Sequence, residues 1–132
     1  MLEESGIPFN PAYIVEGERG LINALAMAKE LLSLDDPPTA IFAACDTQAI
    51  GVLDTAQEMG IKVPEKLSVI GYDNIRDSEY NNLTTIDQNL CESGVIGTQM
   101  LLELLENPQT PPRLEYVSLC VVRRNTTAPP PS

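Results

Sequence analysis

Three places in the sequence carry polar or charged side chains at or just after the end of an apolar stretch: Arg19, the Cys45-Asp46 pair and Asp73. A carboxylate such as Asp73 can accept hydrogen bonds from ligand hydroxyl or N–H groups, or it can stabilise a turn. Asp46 precedes a segment with helical periodicity, which predicts an N-cap that accepts hydrogen bonds from free backbone N–H groups. Cys45 either faces the same place or is buried in the core.

The residue types give little support for nucleophilic catalysis or for a metal site. The sequence has 0 histidines, which excludes Ser-His-Asp and Cys-His arrangements. It has no GxxxxGK[ST] phosphate loop. The 3 cysteines form no CxxC pair, so we expect no zinc site and thiols in a reducing compartment. Two carboxylates could act as an acid/base pair, but spacing alone does not show that they face each other.

The hydrophobic pattern alternates between strand-like and helix-like segments. Leu21, Leu25, Ala28 and Leu32 recur at helical spacing, and residues 40–44 are continuously apolar. The predicted elements are strand 13–15, helix 21–32, strand 40–44, helix 46–59, strand 67–72, polar loop 73–82, strand 83–86, helix 90–105 and strand 114–122. This alternation predicts an α/β fold with a parallel sheet, and ligands of such sheets bind at the carboxyl ends of the strands.

Length and charge narrow the class of protein. The chain has 132 residues, enough for one domain with a hydrophobic core. Its net charge of −11 argues against direct binding to DNA or to an anionic membrane. No apolar run approaches the roughly 18 residues that span a bilayer, and the start MLEESGIPF does not have the form of a signal peptide, so we expect a cytoplasmic protein.

We expect a folded part over residues 1–125 and a flexible tail over residues 126–132.

Four ordered motifs carry a family resemblance. Residues 37–74 read PPTAIFAACDTQAIGVLDTAQEMGIKVPEKLSVIGYDN, and LTTIDQ and VVRRNTT follow. With these motifs the chain resembles the lactose/galactose-repressor family of bacterial transcription regulators, especially its purine-repressor-like branch. The resemblance implies a type I periplasmic-binding-protein-like, three-layer fold with a mostly parallel sheet. It also implies that this chain is the C-terminal half of the effector-binding domain, and that operator DNA is bound through a helix-turn-helix outside it.

The resemblance also assigns residues to an effector site. Asp73 matches the family's cleft aspartate, and Gln88 matches a residue near the effector at the crossing between subdomains. Cys45 stands where the family usually has Asn, and Arg19 stands where it often has an aromatic residue that stacks on the effector. Arg19 could therefore pair with an anionic group. The implied effector is a sugar, a purine or an anionic metabolite, and we expect no cofactor.

Association surfaces follow from the same resemblance. The second helix has an edge at Ile50, Asp54 and Gln57 that meets the dimer mate in the family, with Tyr80 in the following loop. Residues 89–107 would form a helix that crosses into the N-terminal subdomain, which this chain does not contain. Because that helix is apolar on more than one side, we expect a homodimer or higher oligomer.

The sequence thus predicts the effector-sensing and dimerisation half of a bacterial transcription repressor without enzymatic activity. The alternative is a solute-binding protein of a membrane sugar transporter, which shares the fold. An enzyme is a third hypothesis, and it is disfavoured by the absence of histidine and of phosphate-binding motifs.

Overall fold

Strands and helices alternate along most of the chain. The structure, a computed structural model, describes residues 5–18 and 20–130. In chain order the elements are a 3-10 helix at Pro11–Tyr13, helix α1 at Leu21–Leu32, strand β1 at Ala40–Phe42, helix α2 at Asp46–Glu58, strand β2 at Ser68–Ile70, helix α3 at Arg76–Tyr80, strand β3 at Thr85–Asp87, helix α4 at Leu90–Glu106 and strand β4 at Cys120–Val122. This order confirms the predicted α/β class.

The strands are parallel from β1 to β3. β1 and β2 pair in parallel with Ile41 opposite Val69. A parallel bridge between Ile70 and Thr84 then joins the end of β2 to the chain that enters β3. β4 runs antiparallel to β3. The carboxyl ends of β1, β2 and β3 therefore lie along one edge, which is where a ligand site was predicted.

The hydrophobic core lies between helices α1 and α2 and one face of the sheet. β1 alternates in burial, so that Ile41 points into this core while Phe42 is 62 % exposed on the other face. The core cluster comprises Ala28, Leu31, Leu32, Ile41, Ala43, Ala49, Val52, Ala56, Leu67, Val69 and Leu83. Small residues predominate on α2, which allows the helix to lie close to its neighbours.

The closest approach of the two helices occurs at Gly51. A Cβ added there would lie 2.6 Å from the Cβ of Ala24 and 3.2 Å from its carbonyl carbon, so only glycine fits without moving α1. One turn later, the hydroxyl of the buried Thr55 donates to the carbonyl of Gly51 at 2.8 Å. The helix pair is thus set by backbone contact at one point, not by large interdigitating side chains.

The predicted strand at residues 13–15 is wrong. Residues 11–13 form a 3-10 helix, because Pro11 favours the first turn of a helix and the Asn10 side chain accepts a hydrogen bond from the N–H of Ala12. The Tyr13 hydroxyl donates to the carbonyl of Asp36 at 2.9 Å, which holds this turn against the loop before β1.

Two further segments differ from the sequence prediction. The polar loop 73–82 contains the short helix α3, whose Ser78 is buried and donates to the carbonyl of Ile75 at 2.5 Å. The last strand is confined to Cys120–Val122, which pairs with Thr85–Asp87 of β3, so residues 114–119 of the predicted strand do not pair in the sheet.

Thr126 and Ala128, which fall in the predicted flexible tail, are held by hydrogen bonds. Thr126 is buried, and its carbonyl accepts a hydrogen bond from the N–H of Val69 at 2.7 Å. Its hydroxyl donates to the carbonyl of Val69 at 2.7 Å and accepts from the N–H of Thr84 at 2.9 Å. Thr126 therefore bridges two neighbouring strands at their amino ends, and the hydroxyl of Ser68 anchors Ala128 beyond it.

Helix α4 has the predicted bounds within one residue, but none of its residues is buried. Its Glu103 forms a salt bridge of 2.6 Å with Arg113 in the segment that follows. The apolar side chains that α4 leaves exposed are Leu90, Val95, Leu101, Leu102, Leu104 and Leu105. Exposed apolar side chains in this number on one helix favour a contact with another molecule.

We expect Gly51→Ala to lower the free energy of unfolding by about 1–3 kcal/mol, because the added methyl overlaps Ala24. Gly97→Ala is the matched control, since a Cβ at Gly97 meets nothing within 4 Å and alanine favours the helix. Urea denaturation of both variants measures the difference. Equal effects of the two substitutions would contradict the close approach at Gly51.

We also expect the chain to associate through α4. Burial of each large apolar side chain yields about 1.5–3 kcal/mol, so mutual burial of several outweighs their exposure. Light scattering at micromolar concentration should show a dimer or larger species that Leu101→Glu with Leu105→Glu dissociates. If Ile50→Glu dissociates it and the α4 substitutions do not, the edge of α2 is the interface instead.

Candidate functional site at the carboxyl ends of the strands

Backbone pairing continues past the ends of β1 and β2 and brings the two following loops together. The N–H of Ala43 donates to the carbonyl of Ile70 at 2.9 Å, and the N–H of Asp46 donates to the carbonyl of Tyr72 at 2.8 Å. The first residue of α2 therefore lies beside the residue that precedes Asp73. This arrangement follows from the parallel register and does not depend on any single side chain.

The structure brings the side chains of Asp73 and Gln88 into contact, and their role in binding an effector stays a prediction. The side-chain amide of Gln88 donates to Oδ1 of Asp73 at 2.5 Å, and both side chains are half-buried. The N–H of Asp73 donates to the carbonyl of Ile86 at 2.9 Å, which fixes the loop after β2 against the end of β3. The carboxylate thus stands at the strand ends as an acceptor for hydrogen-bond donors.

The backbone at Asp73 and Asn74 is unusual. Both residues have positive φ, 116° and 52°, in a region that side chains other than glycine rarely adopt. Asn89, at the start of α4, also has a positive φ of 53°. Strained backbone of this kind persists where surrounding contacts hold it, and it concentrates at functional sites.

Asn74 is the centre of a polar network that the sequence analysis missed. Its side-chain amide donates to Oδ2 of Asp87 at 2.9 Å, while its Oδ1 accepts from the guanidinium of Arg124 at 2.9 Å. Arg124 also donates to the carbonyl of Leu83 at 2.7 Å. The only sequence signal was the position of Asn74 next to Asp73, and of Arg124 in the basic pair that closes the family motif.

Asp87 ties this network to the start of α4. The backbone N–H of Asn89 donates to Oδ1 of Asp87 at 2.7 Å. This hydrogen bond, together with that from the Asn74 amide, holds the pKa of the Asp87 carboxyl below its usual 3.8. Gln88 lies between Asp87 and Asn89, so both of its neighbours in the chain are held in place.

The predicted N-cap role of Asp46 is wrong. Cys45 occupies the N-cap of α2 without a side-chain hydrogen bond, and Asp46 is the first residue of the helix. The Asp46 carboxylate points away from the helix N–H groups and accepts from the Thr85 hydroxyl at 2.5 Å and from the Ile75 N–H at 2.9 Å. Because Asp46 is completely buried and both of its oxygens are bonded, it is not available as half of an acid/base pair.

The remaining effector-site predictions have different outcomes. Cys45 is a half-buried free thiol at the end of the β1 segment, on the same edge as Asp73. The structure therefore places it where the sequence predicted, and its contact with a ligand stays a prediction. Arg19 lies outside the residues that the structure describes.

The predicted dimer edge is only partly a free surface. Ile50 is half-buried and packs against the hydrophobic core. Asp54 and Gln57 line a surface groove of about 530 Å³ beside α2. Tyr80 is 67 % exposed on α3, with the guanidinium of Arg76 5.8 Å from the centre of its ring. Asp54, Gln57 and Tyr80 are accessible to a partner, and their role in an interface stays a prediction.

Comparison with known proteins gives the same assignment over nearly the whole chain. Residues 1–127 match the family of periplasmic binding protein-like domains. The HTH-type transcriptional repressor PurR of Vibrio parahaemolyticus is 36% identical over 127 residues, which are 95% of this chain and 38% of that protein.

Two solved structures have the same fold. The putative transcriptional regulator LacI of Bacillus cereus subsp. cytotoxis superposes with a TM-score of 0.89 at 26% identity, over 96% of this chain and 46% of the other. A LacI family transcriptional regulator of Enterococcus faecium with bound ribose superposes with a TM-score of 0.86 at 31% identity, over 97% and 48%.

The chain belongs to the family of periplasmic binding protein-like domains. Its relatives within this family include repressors of the LacI and PurR type, which confirms the resemblance drawn from the four motifs. The chain spans about two fifths of the length of the curated relatives, 38% in the Vibrio repressor. In the part of the chain that the structure describes, no helix has the length and apolar character to cross a bilayer.

The lowered pKa of Asp87 predicts a change at the start of α4 in acid. Since the folded-state pKa lies below the unfolded value, the bonds to Asn89 and Asn74 are fully present above about pH 4 and weaken as the pH falls through the lower, folded value. The NMR resonance of the Asn89 backbone N–H should shift with a midpoint below pH 3.8 in this chain but not in Asp87→Asn. Asp77→Asn, at an exposed position on α3, is the control and should leave that titration unchanged.

Proposed function

We propose that this chain is the effector-binding and dimerisation half of a bacterial transcription repressor that acts in the cytoplasm and is not an enzyme. The observation that supports the proposal most directly is the Asp73–Gln88 pair at the carboxyl ends of the parallel strands. The relatives found are transcription regulators, which favours a repressor over the solute-binding protein of a transporter. Operator DNA would be bound by a helix-turn-helix outside this chain, since the net charge here is −11.

The polar groups at the site favour an effector rich in hydrogen-bond donors. Asp73 presents a carboxylate at this edge, and Gln88 adds an amide group. The side chains of Asn74 and Asp87 are engaged with each other, with Arg124 and with the N–H of Asn89. Carboxylates only accept hydrogen bonds, so they suit sugar hydroxyls or purine N–H groups. The guanidinium of Arg124 is engaged by Asn74 and by a backbone carbonyl, and so it offers little to an anionic effector. The Enterococcus relative holds ribose, a ligand of the donor-rich kind.

The proposed mechanism is a population shift between open and closed arrangements of the effector cleft. A ligand changes operator affinity only to the extent that it binds one arrangement more tightly than the other. The Asp73 carboxylate accepts a hydrogen bond from Gln88. Gln88 lies two residues before Leu90, where α4 begins. A ligand donor that replaces Gln88 on Asp73 would therefore act where the chain enters α4.

A chimera tests this proposal. Residues 1–127 would replace the matching part of the Vibrio repressor, and operator affinity would be measured by fluorescence anisotropy with and without ribose or guanine. We expect at least one of the two to change operator affinity, and Asp73→Ala to reduce the affinity for it roughly tenfold or more. The reason is that loss of a hydrogen bond to a charged group costs about 1.5–3 kcal/mol.

Glu30→Ala is the control, because it removes an exposed carboxylate from α1, outside the site. It should leave both the effector response and operator affinity unchanged. A chimera whose Asp73→Ala variant responds to the effector like the parent would refute the assignment of Asp73. A chimera that binds operator and responds to neither compound would count against the proposed effector class.

A further inference from the structure

We propose that Asp46 is a positioning residue for the effector site, and that it fixes the strained Asp73-Asn74 turn so that the Asp73 carboxylate faces the ligand. The expected effect of Asp46 on effector binding rests on the proposed function. The geometric part of the inference, that Asp46 holds the turn, stands on the structure alone. Asp46 itself is completely buried, so its role would be to position the turn and not to contact the ligand.

Asp46 brackets the turn from both sides. Its backbone N–H donates to the carbonyl of Tyr72, the residue before the turn, at 2.8 Å. Its carboxylate accepts from the N–H of Ile75, the residue after the turn, at 2.9 Å. One residue therefore binds both ends of the two-residue segment whose φ angles are 116° and 52°.

A second bond sets the orientation of the carboxylate. The Thr85 hydroxyl on β3 donates to Oδ1 of Asp46 at 2.5 Å, which leaves Oδ2 directed at the Ile75 N–H. Gly71 lies against Oδ1 of Asp46, and a Cβ on Gly71 would overlap this oxygen. The carboxylate thus occupies a place that glycine keeps open, between the end of β2 and β3.

The turn needs such a support because its conformation is unfavourable for residues other than glycine. Within the turn, the N–H of Asp73 bonds the carbonyl of Ile86, and Asn74 contacts the Thr85 hydroxyl through its N–H and Arg124 through its side chain. The residues on either side of the turn, Tyr72 and Ile75, are bonded by Asp46. By contrast, the pairing of β1 with β2 depends on backbone hydrogen bonds such as that from Ala43 to Ile70 at 2.9 Å. Loss of the carboxylate should therefore release the turn before it affects the sheet.

Amide hydrogen exchange measured by NMR on the 132-residue chain separates these effects. The readout is the exchange rate of the Ile75 amide divided by that of the Ala43 amide, because a uniform loss of stability changes both rates together. Asp46→Ala should raise this ratio at least tenfold. Asp46→Asn should keep it within about threefold of the parent, because the carboxamide oxygen can accept from Ile75 while its NH2 group donates to the Thr85 oxygen.

Thr55→Val is the matched control. It removes another buried hydrogen bond of α2, on the helix face that contacts α1, and should leave the ratio unchanged even where it lowers stability. Should Asp46→Ala not fold, Thr85→Val decides the question. That substitution removes the bond that orients the carboxylate, together with the long contact of 3.4 Å from the Asn74 N–H to the Thr85 hydroxyl, and should raise the same ratio about threefold. An unchanged ratio in the variant that folds would overturn the proposal.

The consequence for binding has a separate readout. In the chimera described above, Asp46→Ala should weaken binding of whichever compound is active, ribose or guanine, about tenfold, and Thr55→Val should leave it within twofold. A raised exchange ratio without weaker binding would show that the turn is released but does not position the ligand contact, and would overturn that part. If the parent chimera binds neither compound, the proposed effector class fails, while the exchange ratio still decides whether Asp46 holds the turn.

Discussion

The arrangement of the site depends on parallel backbone pairing that extends beyond the assigned strands. The bonds from Ala43 to Ile70 and from Asp46 to Tyr72 carry the register of β1 and β2 into the two loops that follow. The bond from Asp73 to Ile86 does the same for β2 and β3. Because three successive carboxyl ends stay in register, side chains far apart in the sequence reach one another without any long loop crossing the edge.

The sequence was sufficient to predict contacts that follow from this register, but not the direction of individual side chains. The family resemblance implies that Asp73 and Gln88 belong to one effector site, and the position after a strand is a further argument for Asp73. The sequence predicts a helix cap for Asp46, since an aspartate before a helical pattern has that role in many proteins. Its partner Thr85 is 39 residues away, and no local pattern distinguishes a cap from a buried bond across strands. Asn74 belongs to a predominantly polar loop, in which nothing distinguishes it from the other polar residues.

Boundaries were predicted best where periodicity was long. The pattern over α1 and over α4 gave their ends within one residue, because an apolar stripe over three or more turns has few alternatives. The three-residue segment 13–15 had β-type composition, yet Pro11 and the Asn10 side chain determine a 3-10 turn there. The tail from Thr126 was judged flexible by its prolines, whereas the two hydroxyl bonds of this single threonine hold it between strands.

A short series of hydrogen-bonded side chains joins the site to helix α4. The free energies of these hydrogen bonds limit how strongly an effector bound at the site could act on α4. Asn74 bonds Asp87, Asp87 bonds the N–H of Asn89, and Gln88 between them bonds Asp73. If a ligand donor replaces Gln88 on Asp73, one hydrogen bond to a charged group is exchanged for another, and the net change is small compared with the about 1.5–3 kcal/mol that such a bond contributes. A ligand shifts a conformational equilibrium only by its difference in affinity for the two states. In the proposed mechanism the coupling would therefore come from contacts that the ligand makes in the closed cleft alone, and a released Gln88 would act where the chain enters α4.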